Sequence, residues 1–240
     1  MPRGDTYHCY CLDPKNQKVE VTVSNIDYYR QWQRIPRKAD TWQVSDSQHG
    51  HVGRKIVASK VLGNYKSILD VGCGIGFDYE YYRDTHVKYL GVDLTHKFLD
   101  VAHKKRVPLM QGDLLHLPFK DASFDVVYCK DLLLHLPVGD WQLGLEEMIR
   151  VAKHQIITIE PMWIEKTKYE LMESHFDVNQ DTGKLDGILV FFHTLFGKDE
   201  MTEWARQHGL KLEVWRGKDV ERSIWTNSDA EWQVTIFKKD

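Results

Sequence analysis

The segment 68–77, ILDVGCGIGF, joins an apolar run to three glycines at alternate positions. Glycine tolerates backbone conformations and close ligand approach that other residues resist, and peptide N–H groups at the start of a following helix attract anions. Gly72, Gly74 and Gly76 therefore predict a turn that holds a ligand carrying a carboxylate or phosphate. A dinucleotide fingerprint requires glycine at position 77, where this sequence has Phe77.

Two aspartates favour a ligand site over the alternative, which is a tight turn that binds nothing. Asp93 ends YLGVDL, the next apolar run along the chain, and Asp113 follows a third run in QGDLLHLPF. A carboxylate at the carboxyl end of a parallel strand can accept both hydroxyls of a ribose, which is the interpretation for Asp93. Asp113 suits the amino group of a purine edge. Ligand-type residues thus follow three consecutive predicted strands.

The elements that position these residues alternate apolar runs with amphipathic stretches, which predicts repeated β-α units and a mostly parallel sheet. Strands are predicted at 67–71, 89–93, 107–111, 124–129, 155–159, 210–215 and 231–237. One helix is predicted from the apolar face formed by Trp141, Leu145, Met148, Ile149 and Ala152. Another is predicted from Met201, Trp204, Ala205 and His208, with Gly209 as its C-terminal cap.

The remaining segments are predicted to surround this core. Residues 1–66 form an N-terminal extension with a hairpin around 13–16 and a helix at 51–62 that leads into the first strand. Within it, 28–38 (YYRQWQRIPRK) combines aromatic and cationic side chains, which is typical either of a solvated amphipathic helix or of a lid that attracts an anionic acceptor. Residues 67–240 form the core, and the aromatic-rich segment 161–197 is an insertion after the fifth strand.

The motifs LDVGCGIGF, LGVDL, QGDLLHLPFKDASFDVVYC and HLP resemble those of class I S-adenosylmethionine-dependent methyltransferases of the small-molecule, methyltransferase type 11-like branch. The resemblance covers residues 67–159. It implies an α/β fold with a Rossmann-like, seven-stranded, mostly parallel sheet and helices on both faces, the last strand running antiparallel between the fifth and sixth. It also implies that the insertion covers the acceptor site and that the cofactor is S-adenosyl-L-methionine.

The resemblance assigns cofactor-binding roles by position. It implies Asp70, Gly72, Gly74 and Gly76 for the methionine part, Asp93 with Leu94 for the ribose, Asp113 with Leu114 for the adenine, and Cys129 and Lys130 beneath the cofactor through their backbone. Arg54 is a separate candidate for the cofactor carboxylate. No metal is predicted, because a sulfonium leaves as a neutral group and the enzyme mainly supplies alignment and a dry pocket.

The acceptor must lose a proton, and histidine suits that role near neutral pH. His135, in LLLHLP after the fourth strand, and His193, in VFFHTLF within the insertion, are the candidate bases. The alternatives are a packed residue at a helix start for His135 and a member of an aromatic lid for His193. Asp131 and Glu165 are further candidates.

Composition and charge exclude several classes of protein. In 240 residues, 32 Lys and Arg balance 35 Asp and Glu, and no run of like charges suits a nucleic-acid backbone. No apolar stretch approaches the roughly 20 residues of a membrane span and no secretion signal is visible, so we expect a cytoplasmic protein without membrane contact. Cys9 and Cys11 beside His8 are either half of a metal site without its second half or part of a strand with alternating side chains.

The sequence therefore predicts an S-adenosylmethionine-dependent methyltransferase, a monomer or homodimer, that acts on a small-molecule acceptor with oxygen favoured over nitrogen. The alternatives are a nucleotide-cofactor oxidoreductase, against which Phe77 argues, and a cofactor-binding protein without turnover. A protein or RNA methyltransferase is disfavoured by the acidic charge balance and by the lack of a recognition module.

Overall fold

The computed structural model describes residues 6–12, 18–34, 51–137, 139–163, 166–178, 185–215 and 231–239. In chain order its elements are β1 (Thr6–Leu12), β2 (Lys18–Ser24), α1 (Asn25–Arg34), α2 (His51–Leu62), β3 (Ser67–Val71), β4 (Lys88–Asp93), α3 (His96–Lys104), β5 (Leu109–Gln111), β6 (Phe124–Lys130), α4 (Asp140–Val151), β7 (Ala152–Trp163), β8 (Lys168–Val178), β9 (Leu185–Gly197), α5 (Lys198–Gln207), β10 (Lys211–Trp215) and β11 (Glu231–Lys238). Short 3₁₀ helices occupy Phe77–Tyr81 and Leu133–His135.

Seven strands form the central sheet in the order β10-β11-β7-β6-β3-β4-β5. β3 to β7 pair in parallel, whereas β11 runs antiparallel to both β7 and β10. The predicted Rossmann-like sheet, with its last strand antiparallel between the fifth and sixth, is confirmed. The strand order reverses between β3 and β6, and in such sheets ligands bind beyond the carboxyl ends of the strands at this switch point.

The core lies against the middle of the sheet. Val92 of β4, Val126 and Val127 of β6 and Ile157 of β7 have no exposed surface, as expected for parallel strands that are covered on both faces. From α4, Trp141, Leu145 and Met148 are fully buried, which confirms the predicted apolar face. Gly209 follows α5 with a φ of 66°, the left-handed conformation expected of a C-terminal glycine cap.

The N-terminal residues form a hairpin followed by a helix. β1 and β2 pair antiparallel, as predicted, although the turn residues 13–17 lie outside the described ranges. Cys9 and Cys11 lie in β1, opposite Val21 and Val19. α1 packs on the core through Tyr28, which is fully buried. α2 begins and ends where the sequence predicts it.

The insertion after the fifth strand contains two long strands that the sequence pattern does not reveal. β8 and β9 pair antiparallel, and the end of β9 pairs in parallel with the end of β7. β7 itself extends to Trp163, beyond the predicted end at 159. In the described part of the chain, no helix has both the length and the apolar character that a membrane span needs.

Candidate active site

A pocket of about 190 Å³ opens at the carboxyl ends of β3, β4, β5 and β6. Most residues that the sequence analysis selected line it together. They are Arg54, Asp70, Gly72, Gly74, Asp93, Leu94, Asp113, Leu114, Lys130 and His135. The fold therefore brings the glycine turn, the strand-end aspartates and two candidate bases, His135 and Asp131, to a single cavity.

The glycine turn needs glycine at each of its three positions, but for different reasons. Gly72, Gly74 and Gly76 have φ values of 74°, 54° and 76°, a region that side chains with a Cβ rarely adopt. A Cβ at Gly72 would lie 2.9 Å from a methyl group of Leu132, and one at Gly76 would lie 2.7 Å from Val107. A Cβ at Gly74 would meet no atom within 4 Å. Gly74 thus faces open space in the pocket, whereas Gly76 is required for packing.

Asp93 links this turn to the end of β4. Its side chain is buried, and its two carboxylate oxygens accept hydrogen bonds from the backbone N–H groups of Gly74, at 2.8 Å, and Thr95, at 2.7 Å. Burial raises the pKa of Asp93, and the two N–H groups oppose that rise. The carboxylate is therefore held in place at the wall of the pocket, where its remaining lone pairs can accept ligand hydroxyls.

Carboxyl groups and one guanidinium surround the end of the pocket near α2. Arg54 and Asp78 form an ion pair with an N–O distance of 3.3 Å, and both are almost fully buried. Asp70 accepts a 2.5 Å hydrogen bond from the hydroxyl of Tyr89, and burial together with Asp78 raises the pKa of Asp70 well above its usual range. Such a mixture of acids and a cation suits a zwitterionic group with both an amino and a carboxylate function.

The opposite end of the pocket is an apolar slot with one carboxyl group. Leu114 is buried and packs over Gly144 of α4, where an added Cβ would lie 2.8 Å from a Leu114 methyl. Phe98 also lines the pocket. One oxygen of Asp113 accepts the backbone N–H of Leu115 at 2.9 Å. The slot can hold a flat, weakly polar ring that donates a hydrogen bond to the carboxylate.

The turn after β6 contributes Lys130, Asp131, Leu132 and His135 to the lining of the pocket. Lys130 pairs with Asp131, whose φ is 53°. The next residues enter the 3₁₀ helix that ends at His135, which lines the pocket. The carboxyl group of Glu160 reaches this turn from β7, and sequence reasoning missed it. The available signal is an acidic residue at the end of the apolar run QIITIE, on the strand next to β6.

Helix α1 closes the pocket on its remaining side. The Tyr28 hydroxyl donates a hydrogen bond to the backbone oxygen of His135, and the Tyr29 hydroxyl donates to Asp140 at 2.7 Å. The rings of Trp32 and His135 lie 5.5 Å apart. Burial, reinforced by Asp140, raises the pKa of Tyr29. Tyr29 and Trp32 line the pocket, so the aromatic residues of segment 28–38 belong to the site, whereas Arg30 is exposed.

Four predicted site residues are not found among the described lining. Gly76 packs against Val107, and Cys129 is fully buried in β6 between β3 and β7. On this strand end the pocket lining begins one residue later, at Lys130, and a backbone role for Cys129 beneath the cofactor stays a prediction. His193 lies in β9 opposite Glu170, but its side chain is outside the described part of the structure, as is Glu165.

In the described part of the chain, no group of three or more His, Cys, Asp or Glu side chains is arranged to hold a metal ion. The arrangement in the pocket instead offers hydrogen-bond acceptors, one buried guanidinium, an ammonium and an imidazole. These groups can orient an organic ligand and accept a proton.

Known proteins share part of this sequence. Residues 69–157 match the family model described as a methyltransferase domain. The demethylmenaquinone methyltransferase of Staphylococcus aureus is 31% identical over 136 residues, which is 52% of this chain and 55% of that protein. An uncharacterised protein of Methanocaldococcus jannaschii is 34% identical over 88 residues, 37% of this chain and 36% of its own length. The chain thus spans about half or less of the length of these curated relatives.

Solved structures share the fold over most of the chain. The 1,6-didemethyltoxoflavin-N1-methyltransferase of Burkholderia thailandensis, bound to 1,6-didemethyltoxoflavin and S-adenosylhomocysteine, has a TM-score of 0.65 at 13% identity, over 90% of this chain and 91% of that one. A SAM-dependent methyltransferase of Methanosarcina mazei has a TM-score of 0.58 at 15% identity, over 77% of this chain and 96% of that one. Residues 69–157 therefore resemble a methyltransferase domain, and the chain shares its fold with S-adenosylmethionine-dependent methyltransferases of known structure.

Proposed function

We propose that this chain binds S-adenosylmethionine in the pocket and transfers its methyl group to a small-molecule acceptor. The observation that carries the proposal is the continuity of one cavity, which runs from the glycine turn past Asp93 and Asp113 to His135. A ligand that bridges these points needs a charged head, a ribose-like middle and a flat ring. The matched family model and the shared fold support the same ligand.

The pocket residues can hold the three parts of this cofactor. Arg54 suits the carboxylate and Asp70 the amino group of the methionine part, while Asp93 accepts the ribose hydroxyls. Asp113, Leu114 and Phe98 would hold the adenine. When bound, the cofactor supplies an electrophilic methyl group on a sulfonium. The residues around it align the acceptor with that methyl and exclude water, which are the contributions that a direct displacement needs.

The acceptor end of the pocket favours a flat molecule. Tyr29, Trp32 and His135 line it, and aromatic faces stack best on planar rings. The protein from Burkholderia thailandensis is bound to 1,6-didemethyltoxoflavin, and the Staphylococcus aureus relative acts on demethylmenaquinone, both of them ring compounds. We therefore propose a planar ring acceptor with a hydroxyl group, whose proton the His135 imidazole would remove.

An anionic acceptor, as expected from the cations of segment 28–38, is less well supported. The charged residues of the described lining are the acids Asp70, Asp78, Asp93, Asp113 and Asp131 and the bases Arg54 and Lys130. Because the acids outnumber the bases, the pocket attracts the positively charged cofactor more than a second anion. A neutral acceptor therefore suits this lining better.

Two measurements test the proposal in sequence. Calorimetry with S-adenosylhomocysteine should show binding in the micromolar range, and tritium transfer from labelled S-adenosylmethionine should then occur to members of a panel of hydroxylated naphthalenes and pteridines. Flexible alcohols of similar size serve as controls and should not be methylated. Failure to bind S-adenosylhomocysteine would overturn the cofactor assignment. Binding without transfer to any planar compound would favour the alternative of a cofactor-binding protein without turnover.

A further inference from the structure

The turn that carries His135 begins with three peptide N–H groups that cannot bond within their own helix. Such groups at a helix start need acceptors from elsewhere. Here Asp131 leaves β6 in a left-handed conformation, its N–H still bonded to the Ile159 oxygen of β7 at 3.1 Å. The following N–H groups, those of Leu132, Leu133 and Leu134, therefore point away from the sheet ladder.

Glu160 satisfies all three groups from the neighbouring strand. Its side chain is 1% exposed, and one carboxyl oxygen accepts hydrogen bonds from Leu132 at 3.0 Å and Leu133 at 2.9 Å. The other oxygen accepts the N–H of Leu134 at 3.3 Å. Burial, together with the negative charge of Asp131, raises the pKa of Glu160 to about 8. Burial of a carboxyl group costs free energy unless the group is hydrogen-bonded. The three hydrogen bonds to this turn offset that cost for Glu160.

Further bonds hold the backbone of the same turn at His135. The His135 N–H bonds back to the Leu132 oxygen at 3.0 Å, and its backbone oxygen accepts the Tyr28 hydroxyl. Leu132 in turn packs against Gly72 of the glycine turn. Glu160 thus anchors the residues that stand between the glycine turn and the candidate base.

We propose that Glu160 is a positioning residue of the methyl-transfer site, which holds the turn after β6 so that His135 faces the acceptor end of the pocket. The claim that Glu160 affects methyl transfer rests on the proposed function. The claim that Glu160 holds the turn after β6 does not, because its three hydrogen bonds are made within the chain itself. This separation allows the two ideas to be tested apart.

The first test measures amide hydrogen exchange by NMR in the full chain without cofactor. In Glu160→Gln, the amide oxygen still accepts the N–H groups of Leu132 and Leu133, but its NH₂ group faces the N–H of Leu134. We expect exchange at Leu134 to rise about tenfold or more, while the other two amides stay protected. In Glu160→Ala all three amides should lose protection.

Glu147→Gln is the matched control. Glu147 also accepts a backbone N–H, from Leu117 at 2.9 Å, but lies on α4 and does not line the pocket. Its amide oxygen can still accept the Leu117 N–H, and this variant should leave exchange in the turn after β6 unchanged. If Leu134 stays protected in Glu160→Gln, or if Glu147→Gln exposes the same turn, the proposal is overturned. If Glu160→Ala does not fold, the test relies on Glu160→Gln alone, in which Leu134 should lose protection while Leu132 and Leu133 keep it.

The second test measures what the turn does for the site. The imidazole resonances of His135, assigned by comparison with His135→Gln, should shift in Glu160→Gln and stay in place in Glu147→Gln. With the planar acceptor identified in the transfer assay, Glu160→Gln should lower kcat about tenfold and change the Kd of S-adenosylhomocysteine less than about threefold. Unmoved His135 resonances with an unchanged kcat would reject the positioning role. Absence of S-adenosylhomocysteine binding in the parent protein would instead reject the proposed function.

Discussion

The two halves of the pocket are built in different ways. The half that we propose to bind the cofactor, formed by the ends of β3, β4 and β5, includes bonds between residues close in sequence, such as the Gly74 to Asp93 bond across 19 positions. The proposed acceptor half joins α1 to the turn after β6. There Tyr28 bonds to His135 across 107 positions and Tyr29 to Asp140 across 111.

This difference predicts two kinds of response to substitution. Backbone N–H groups and strand-end carboxylates define the cofactor half, so changes there should act on cofactor affinity. Side chains from distant elements define the acceptor half, so changes there should act on turnover or acceptor affinity while cofactor binding survives. Each experiment below tests this division, beginning with the largest expected effect.

Gly74→Val should abolish binding of S-adenosylhomocysteine in calorimetry, a loss of about 100-fold or more, because a β-branched side chain at a φ of 54° strains the turn and enters the pocket. Gly76→Val is the contrasting control. Its side chain would collide with Val107, so we expect a larger drop in melting temperature than for Gly74→Val. Normal ligand binding by Gly74→Val would mean that the glycine turn is not part of the cofactor half.

His135→Ala should lower kcat by about 100-fold or more and flatten the acidic limb of the pH–rate profile, because the acceptor loses its general base. Affinity for S-adenosylhomocysteine should stay within about threefold of the parent. His193→Ala is the paired variant and should change the acceptor KM more than kcat. If the large loss of kcat occurs in His193→Ala instead, His193 of the insertion and not His135 is the general base.

Asp93→Ala should weaken binding of S-adenosylhomocysteine by roughly 1.5–3 kcal/mol, since the ribose loses a charged acceptor and Gly74 loses its hydrogen-bond partner. Calorimetry measures the loss, and a thermal melt shows that the variant is folded. Unchanged affinity in a folded protein would exclude Asp93 from the cofactor half.

Trp32→Leu should raise the KM of a planar acceptor about three- to tenfold with cofactor affinity unchanged, because leucine keeps apolar contact but loses the stacking face. Arg30→Ala, on the exposed side of the same helix, should have no effect on either constant. If Arg30→Ala raises the KM, and added salt raises the KM of the parent protein in the same way, the hypothesis of an anionic acceptor is restored.

The last effect concerns the pH dependence of stability rather than ligand binding or turnover. The pKa of Glu160 is about 8 in the folded protein against an ordinary value of 4.5, so between these values the folded state binds a proton that the unfolded state has released. The stability of the parent relative to Glu160→Gln should therefore be highest below pH 4.5 and fall as the pH rises to about 8. Urea titrations at several pH values measure this difference, and a difference independent of pH would contradict the raised pKa.

Local sequence patterns predicted the elements of the core with few errors. The strand at 67–71 and the helix at 51–62 have the bounds that periodicity indicates, and the glycines 72, 74 and 76 adopt the left-handed conformations that their spacing suggested. These features depend on residues adjacent in the chain, where alternation of apolar residues and the missing Cβ of glycine act directly. The same locality explains why the aspartates at the strand ends were found.

The sequence by itself determined the sheet class, the glycine turn and the strand-end carboxylates of the cofactor half. Only the tertiary structure showed that Glu160 anchors the turn after β6, that Tyr28 and Tyr29 bond to it and to α4, and that the insertion builds β8 and β9. The bonds of Glu160, Tyr28 and Tyr29 join residues that lie from 26 to 111 positions apart. Their pairing depends on which surfaces remain uncovered once the sheet has formed, and no short-range pattern encodes that choice.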